Sequence, residues 1–373
     1  MDTKRSRDVV LAIMKLAGIT DKGENPWDIR VHNPDFYPRL LQHPALALGE
    51  SYMDEWWDCE ALDEFVHRAL QADLEEKIWK SLRLKWHLAK ARLLNLQKGE
   101  RAFTVGREHY DLGNDLYQAM LDRRMLYTCA YWKDACDLDA AQEAKLELVC
   151  RKIGLAPGMK VLDLGCGFGA FARYAAEKYN ASVFGVTVSE KQVALGAKLC
   201  KGLPVQIKLM DYREVTGSFD RVVSIGIMEH VGYKNYRTYM EKADETLKDG
   251  GVCFVHTIGR NDSATTCNAW THKYIFPNSN LPSVAQLGRA MEGLFVLEDL
   301  HNFGPDYDRT CMAWYENFEK AWPDLKDKYG ERFRRMWRFY LLSSAGAFRA
   351  RHNQLWQMVM TRPGASQPEC RIS

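Results

Sequence analysis

Between residues 161 and 169 the chain reads Val161-Leu162-Asp163-Leu164-Gly165-Cys166-Gly167-Phe168-Gly169: an apolar run, an acid, then glycine at every second position. A helix-like segment, Phe171 to Tyr179, follows at once. This is the pattern of a strand entering a tight turn with bare backbone, where a Cβ would obstruct a nucleotide-bearing ligand. The next strand separates the candidate ligands. Dinucleotide-binding folds offer a carboxylate to the ribose about twenty residues further on. Here Ser182 to Val188 leads into Gly185-Val186-Thr187-Val188-Ser189, with no acid at its tip. Thr187, Ser189 and Gln192 supply neutral donors and acceptors instead. Asp211 follows the third strand, where it can accept from an adenine amino group, with Tyr212 against the ring. The set points to S-adenosylmethionine and away from NAD. Ser189 also precedes a helix and can serve as its cap.

Such residues act together only if a sheet presents them at one edge. From about Leu155 the chain alternates strand and helix. The strands are Lys160 to Leu164, Ser182 to Val188, Val205 to Leu209, Arg221 to Ile225 and Val252 to His256; Glu190 to Cys200 and Tyr236 to Leu247 are among the helices. Repeated βα units predict an α/β fold, a parallel sheet covered on both faces, with ligands at the carboxyl ends of its strands. The polar motifs sit there: Asp163 to Gly169, Thr187 to Gln192, Asp211-Tyr212, Glu229-His230 and His256-Thr257-Ile258-Gly259. The first hundred residues lack strand-like alternation. Val9 to Leu16 and Leu62 to Leu70 carry apolar residues at helical spacing, with turns at Asn25-Pro26 and Asn33-Pro34. The expected organisation is an all-helical domain over 1–100 and the sheet domain over 101–373.

A chain of 373 residues suggests two folding units, and 46% hydrophobic with 27% charged residues is ordinary for a soluble protein. The aromatic complement of 11 Trp, 17 Tyr and 15 Phe builds a large core, an apolar pocket or a lipid-facing surface. The ten Cys form no C-x-x-C pair and have no His at zinc spacing, so neither a disulfide framework nor a metal is expected. A net charge of +2 gives no reason to expect a nucleic-acid partner. The polar N-terminus and the lack of a long apolar run predict a cytoplasmic protein with reduced thiols. One segment stands apart: across Ile78 to Arg101, Lys77, Lys80, Arg83, Lys85, Lys90, Arg92 and Lys98 alternate with apolar residues including Trp79 and Trp86. A basic amphipathic helix of this kind lies on an anionic bilayer or packs as a linker on the next domain.

Several motifs recur in a fixed order: Tyr-Thr-Cys-Ala-Tyr-Trp (127–132), the glycine loop, Gly-Val-Thr-Val-Ser, Met-Glu-His-Val-Gly and His-Thr-Ile-Gly. Lys-Tyr-Ile-Phe-Pro (273–277) and His-Asn-Phe-Gly-Pro-Asp-Tyr-Asp (301–308) follow. From Phe103 to Arg362 this order resembles cyclopropane-fatty-acyl-phospholipid synthases and, more distantly, mycolic acid cyclopropane synthases. The helical N-terminal third is similar to the extension carried by the phospholipid-acting members. The resemblance implies a Rossmann-like class I S-adenosylmethionine-dependent methyltransferase fold with a helical N-terminal domain. It makes Tyr127, Thr128, the loop from Val161 to Gly169, and Thr187, Val188, Ser189 and Gln192 cofactor contacts. It puts Cys129, Glu229, His256, the backbone at Ile258, and Tyr307 around a bicarbonate ion that serves as base. Implied partners are unsaturated membrane phospholipids on an anionic bilayer and a second copy of the chain as a homodimer. The implied location is the inner face of the membrane, as a peripheral protein. Some members carry a Cys where this chain has Ser344, which argues against a nucleophilic thiol there.

The implied chemistry is demanding. Methyl transfer to one carbon of an isolated double bond leaves a cation on the other, so the pocket must be dry and yet stabilise charge. Tyr274, Phe276, Phe303 and Tyr307 are candidates for that through their ring faces, although for any single ring ordinary core packing is the commoner explanation. The competing readings are a methyltransferase acting on a soluble small molecule or another lipid, and a membrane-binding protein with a vestigial cofactor site.

Overall fold

The short apolar stretches after Leu155 can be buried on both faces only if helices cover both sides of the sheet they form. In the computed structural model, which describes residues 3–72 and 113–372, they do so in a seven-stranded sheet. The strands are β3 (Lys160–Leu164), β4 (Ser182–Thr187), β5 (Val205–Leu209), β6 (Phe219–Ile225), β7 (Leu247–Arg260), β8 (Val296–Asn302) and β9 (Asn353–Thr361). Their order is β5-β4-β3-β6-β7-β9-β8. Pairing is parallel from β5 to β7, and β9 runs antiparallel to both its neighbours. Strand alternation sends Val161 to a layer with Phe171, Ala175 and Leu146, and Leu162 and Leu164 to the opposite layer with Tyr239 and Met240. The order reverses between β3 and β6, which opens a crevice at their carboxyl ends.

The five expected strands are present, with β7 extended back to Leu247, where a helix was expected to end. Strands β8 and β9 were not anticipated. The first is a half-exposed, polar edge strand; the second is almost wholly buried but follows a 19-residue helix, Glu331–Arg349, outside the βα rhythm.

The chain divides into two compact units that are not continuous in sequence. One comprises Met1–Met120, Cys267–Pro277 and Cys311–His352; the other, which holds the large sheet, comprises Leu121–Thr266, Asn278–Thr310 and Asn353–Ser373. A boundary near residue 100 therefore gives the first unit only part of its chain. Its later segments are joined to it by specific contacts: Trp270 packs on Phe339 with ring centroids 4.7 Å apart, and Lys273 pairs with Glu50 at 2.7 Å. Within it, Trp57 is fully buried against Tyr52, Phe65 and Phe36. The unit was expected to be all-helical; it also contains a two-residue antiparallel pairing of β1 (Arg30–Val31) with β2 (Trp57–Asp58), next to the Trp57 anchor. The basic stretch Ile78 to Arg101 and the polar segment Glu108 to Asp111 lie outside the described residues. Among those described, no helix is long and apolar enough to cross a membrane.

Candidate active site

The chain leaves β3 on Gly165, Gly167 and Gly169, all at positive φ (+78°, +55° and +77°). Packing fixes two of them: a Cβ at Gly165 would lie 2.0 Å from Ile227 Cγ1, and one at Gly169 would lie 2.6 Å from Ile207 Cδ1. At Gly167 a Cβ would meet nothing within 4 Å. Bare backbone therefore faces open space at the carboxyl end of the sheet, the shape a nucleoside ligand requires. Cys166 and Phe168 are buried beside it, and the Gly165 and Cys166 amides donate to the Val186 carbonyl at 2.9 and 3.0 Å. Asp163, at the end of β3, is buried, and its Oδ2 has no hydrogen-bond partner. Burial pushes its carboxyl up to about 7.

At the end of β4, Thr187 Oγ1 donates to Gln192 Oε1 at 2.5 Å and accepts from the Ser189 amide at 3.3 Å. Ser189 does cap the helix Glu190–Leu199, accepting from the Gln192 amide, while Val188 is 76% exposed. Asp211 accepts from Arg213 Nε and Nη2 at 2.8 and 2.7 Å, a guanidinium two residues away. Tyr212 packs on Tyr239, centroids 5.1 Å apart.

The Tyr127-Thr128-Cys129 segment is tied into the same unit. A Cβ at Gly226, just past β6, would lie 2.7 Å from Thr128 Cγ2. Thr128 Oγ1 accepts from Lys145 Nζ at 2.8 Å, and its carbonyl accepts from Gln142 Nε2 at 2.9 Å. Cys129 is fully buried and its thiol donates to the Ala130 carbonyl at 3.2 Å. The Ala130 amide donates to Thr310 Oγ1 at 3.1 Å and the Trp132 amide to Asp306 Oδ2 at 2.7 Å. These bonds bring Cys129 to the helical turn that carries Tyr307.

Glu229 lies just past β6, buried, with Oε1 accepting from the Ile258 amide at 2.6 Å and Oε2 without a partner. In this structure the Ile258 amide gives a buried carboxyl the donor it must find. Burial pushes Glu229 up to about 7. Two residues before Ile258, His256 is buried, and desolvation holds its imidazole well below the usual range, so the ring is neutral. His256 Nδ1 lies 3.4 Å from Gln357 Nε2, and its Nε2 has no partner. Phe303 packs against His256 (centroids 6.0 Å) and edge-on to Tyr131 (5.3 Å), one helical turn before the buried Tyr307. Glu229 and Ile258 are thus joined at the carboxyl ends of β6 and β7, with His256 two residues away against the ring of Phe303; Cys129 and Tyr307 are buried in the same unit. Tyr274 and Phe276 belong to the other unit, where Tyr274 donates to Glu50 and Phe276 packs on Tyr340.

Gln142, Lys145, Gln357 and Tyr131 were not anticipated. The signal for the first two was present: they interrupt the apolar stripe of the helix Leu138–Lys152 at positions that must face the core. Among the described residues no cluster of side chains fits a metal ion.

The strand order and the glycine turn define a class I S-adenosylmethionine-dependent methyltransferase fold. A family model described as "Mycolic acid cyclopropane synthetase" matches residues 97–358. The chain is 53% identical over 350 residues to the cyclopropane-fatty-acyl-phospholipid synthase of Escherichia coli, covering 94% of this chain and 92% of that protein. It is 36% identical to a probable fatty acid methyltransferase of Pseudomonas putida, covering 69% of this chain and 68% of the relative. The crystal structure of the mycolic acid cyclopropane synthase CmaA1 complexed with SAH and CTAB superposes with a TM-score of 0.63 at 28% identity, covering 68% of this chain and 96% of that one. The chain belongs to the mycolic acid cyclopropane synthetase family, among its cyclopropane-fatty-acyl-phospholipid synthases, and is an enzyme.

Proposed function

We propose that this protein converts the cis double bond of an unsaturated acyl chain in membrane phospholipid into a cyclopropane ring. The observation that carries the reading is the pair of buried polar atoms without protein partners, Glu229 Oε2 and His256 Nε2, the latter on a ring packed against Phe303. An apolar site that keeps orphaned donors and acceptors dry is built around a polar guest. When bound, S-adenosylmethionine would supply the methyl group for one alkene carbon, its sulfur keeping the bonding pair, and bicarbonate would supply the base for the proton that methyl loses as its C–H pair closes the ring.

The residues fit both groups. Gly167 leaves the backbone open on the cofactor side, and Asp163 Oδ2 is a buried acceptor suited to an ammonium. Cys129, Glu229, His256 and Tyr307 would hold the bicarbonate. A carboxylate facing an anion repels it, so the raised affinity of Glu229 for its proton matters: with Oε1 occupied by the Ile258 amide, a protonated Oε2 donates. Neutral His256 donates through Nε2 when Nδ1 accepts from Gln357. Phe303 and Tyr131 line the site with ring faces that exclude water and stabilise an electron-deficient carbon.

The substrate lies in a bilayer, which gives the basic stretch Ile78 to Arg101 a purpose: it holds the first unit on the anionic inner face of the membrane, while the unit with the large sheet carries out catalysis. A second reading, methylation without ring closure, has support in the fatty acid methyltransferase relative. Mass spectrometry of vesicles of cis-unsaturated phospholipid, incubated with the protein and S-adenosylmethionine with and without bicarbonate, tests the proposal. The expected result is a gain of one methylene per modified chain that depends on bicarbonate. Cofactor binding with no lipid product points to a soluble substrate.

A further inference from the structure

The helix Leu138–Lys152 buries two polar side chains completely. Gln142 and Lys145 are both 0% exposed, one turn apart on the face that also carries Leu146 and Val149. Taking an amine out of water is costly unless its donors find partners. Its hydrogen bond goes to a neutral acceptor, Thr128 Oγ1 at 2.8 Å, and among the described residues no carboxylate lies within ion-pair reach of Nζ. Gln142 Nε2 meanwhile donates to the carbonyls of Thr128 at 2.9 Å and Leu126 at 3.4 Å. Two prongs of one helix thus grip one residue, and that residue's methyl lies where Gly226 leaves room for it.

We propose that Lys145 and Gln142 are positioning residues of the cofactor site: they clamp the Tyr127–Cys129 segment against Gly226. The proposal rests on the reading of the glycine turn as an S-adenosylmethionine site. Gln142 carries no charge, so its loss removes part of the grip alone.

The test uses the full chain and S-adenosylmethionine as probe, with calorimetric dissociation constants, kcat and KM for Lys145→Met, Thr128→Val, their double variant and Gln142→Met. Loss of a charged hydrogen bond predicts a dissociation constant raised about tenfold in Lys145→Met. Thr128→Val should lose a similar factor, and the double variant no more than the worse single, since the two share one bond. The dissociation constant should rise by a larger factor than kcat at saturating cofactor falls, a split that general loosening of the fold would not produce. Unchanged affinity in Lys145→Met, or additive losses in the double variant, overturns the proposal. Gln142→Met keeps the test decisive should Lys145→Met fail to fold, because it too must raise the KM for cofactor; a wild-type KM there refutes the clamp. Failure of the unsubstituted protein to bind S-adenosylmethionine would instead overturn the underlying site reading along with it.

Discussion

Glu229→Gln is the substitution on which the structure speaks most quantitatively. Glu229 is 6% exposed, holds the Ile258 amide through Oε1, and is pushed from 4.5 to about 7 by burial. Because the folded-state value lies above the unfolded one, the native protein holds more protons than the unfolded chain between these limits. Stability from this group is therefore fully present below about pH 4.5, falls as pH rises through the window, and levels off above about pH 7. A shift of that size corresponds to about 3 kcal/mol. The glutamine side chain keeps an oxygen for the Ile258 amide and cannot ionise, so it escapes this loss. It introduces a buried NH2 whose missing acceptor costs a fixed amount on the order of 1–3 kcal/mol, but that offset does not vary with pH. The difference in unfolding free energy between variant and parent, measured by denaturant titration without ligand, should thus move by about 3 kcal/mol in favour of the Glu229→Gln variant between about pH 4 and about pH 8. Other titrating groups are common to both proteins and cancel. Turnover with lipid and cofactor should meanwhile fall at least about a hundredfold, with cofactor affinity nearly unchanged. Stability curves that stay parallel across this range would refute the argument that Glu229 is held near neutrality by burial.

Three further outcomes follow from particular residues. Gly167→Ala places its Cβ in open space and should cost only about 1–2 kcal/mol, from the positive φ, yet weaken S-adenosylmethionine binding at least tenfold; Gly165→Ala, driven into Ile227, should lower the melting temperature much further. Ser344→Ala should retain turnover within about twofold, since Ser344 lies in the helical unit on Glu331–Arg349 and no nucleophile is needed there. Sedimentation with anionic vesicles should show binding that weakens as salt is raised, because screening shortens the reach of the Lys and Arg residues between 77 and 98; binding indifferent to salt would return that segment to a linker.

The legible part of this protein lay where chemistry and periodicity coincide. Five strands were marked by apolar runs flanked by turns, and the ligand-facing residues sat one after another at their carboxyl ends, so the crevice could be drawn before the sheet was seen. Contacts across long sequence separations were not legible. Nothing in the local pattern said that Cys267–Pro277 and Cys311–His352 join the first helical unit, since that depends on partners such as Glu50 for Lys273. Nor could spacing reveal that Arg213 would take Asp211, or that the Ile258 amide would serve Glu229. Lys145 is the instructive case: its polar character at a core position was visible, but only the fold says that Thr128 is the reason.

The most direct measurement of the central claim uses S-adenosylmethionine with a fully deuterated methyl group and vesicles of cis-unsaturated phospholipid. Ring closure through loss of a methyl proton predicts modified chains that retain two of the three deuterons and resist mild hydrogenation. Chains that retain all three would mean methylation without the deprotonation for which Glu229 and His256 are proposed to be arranged, and would contradict the account.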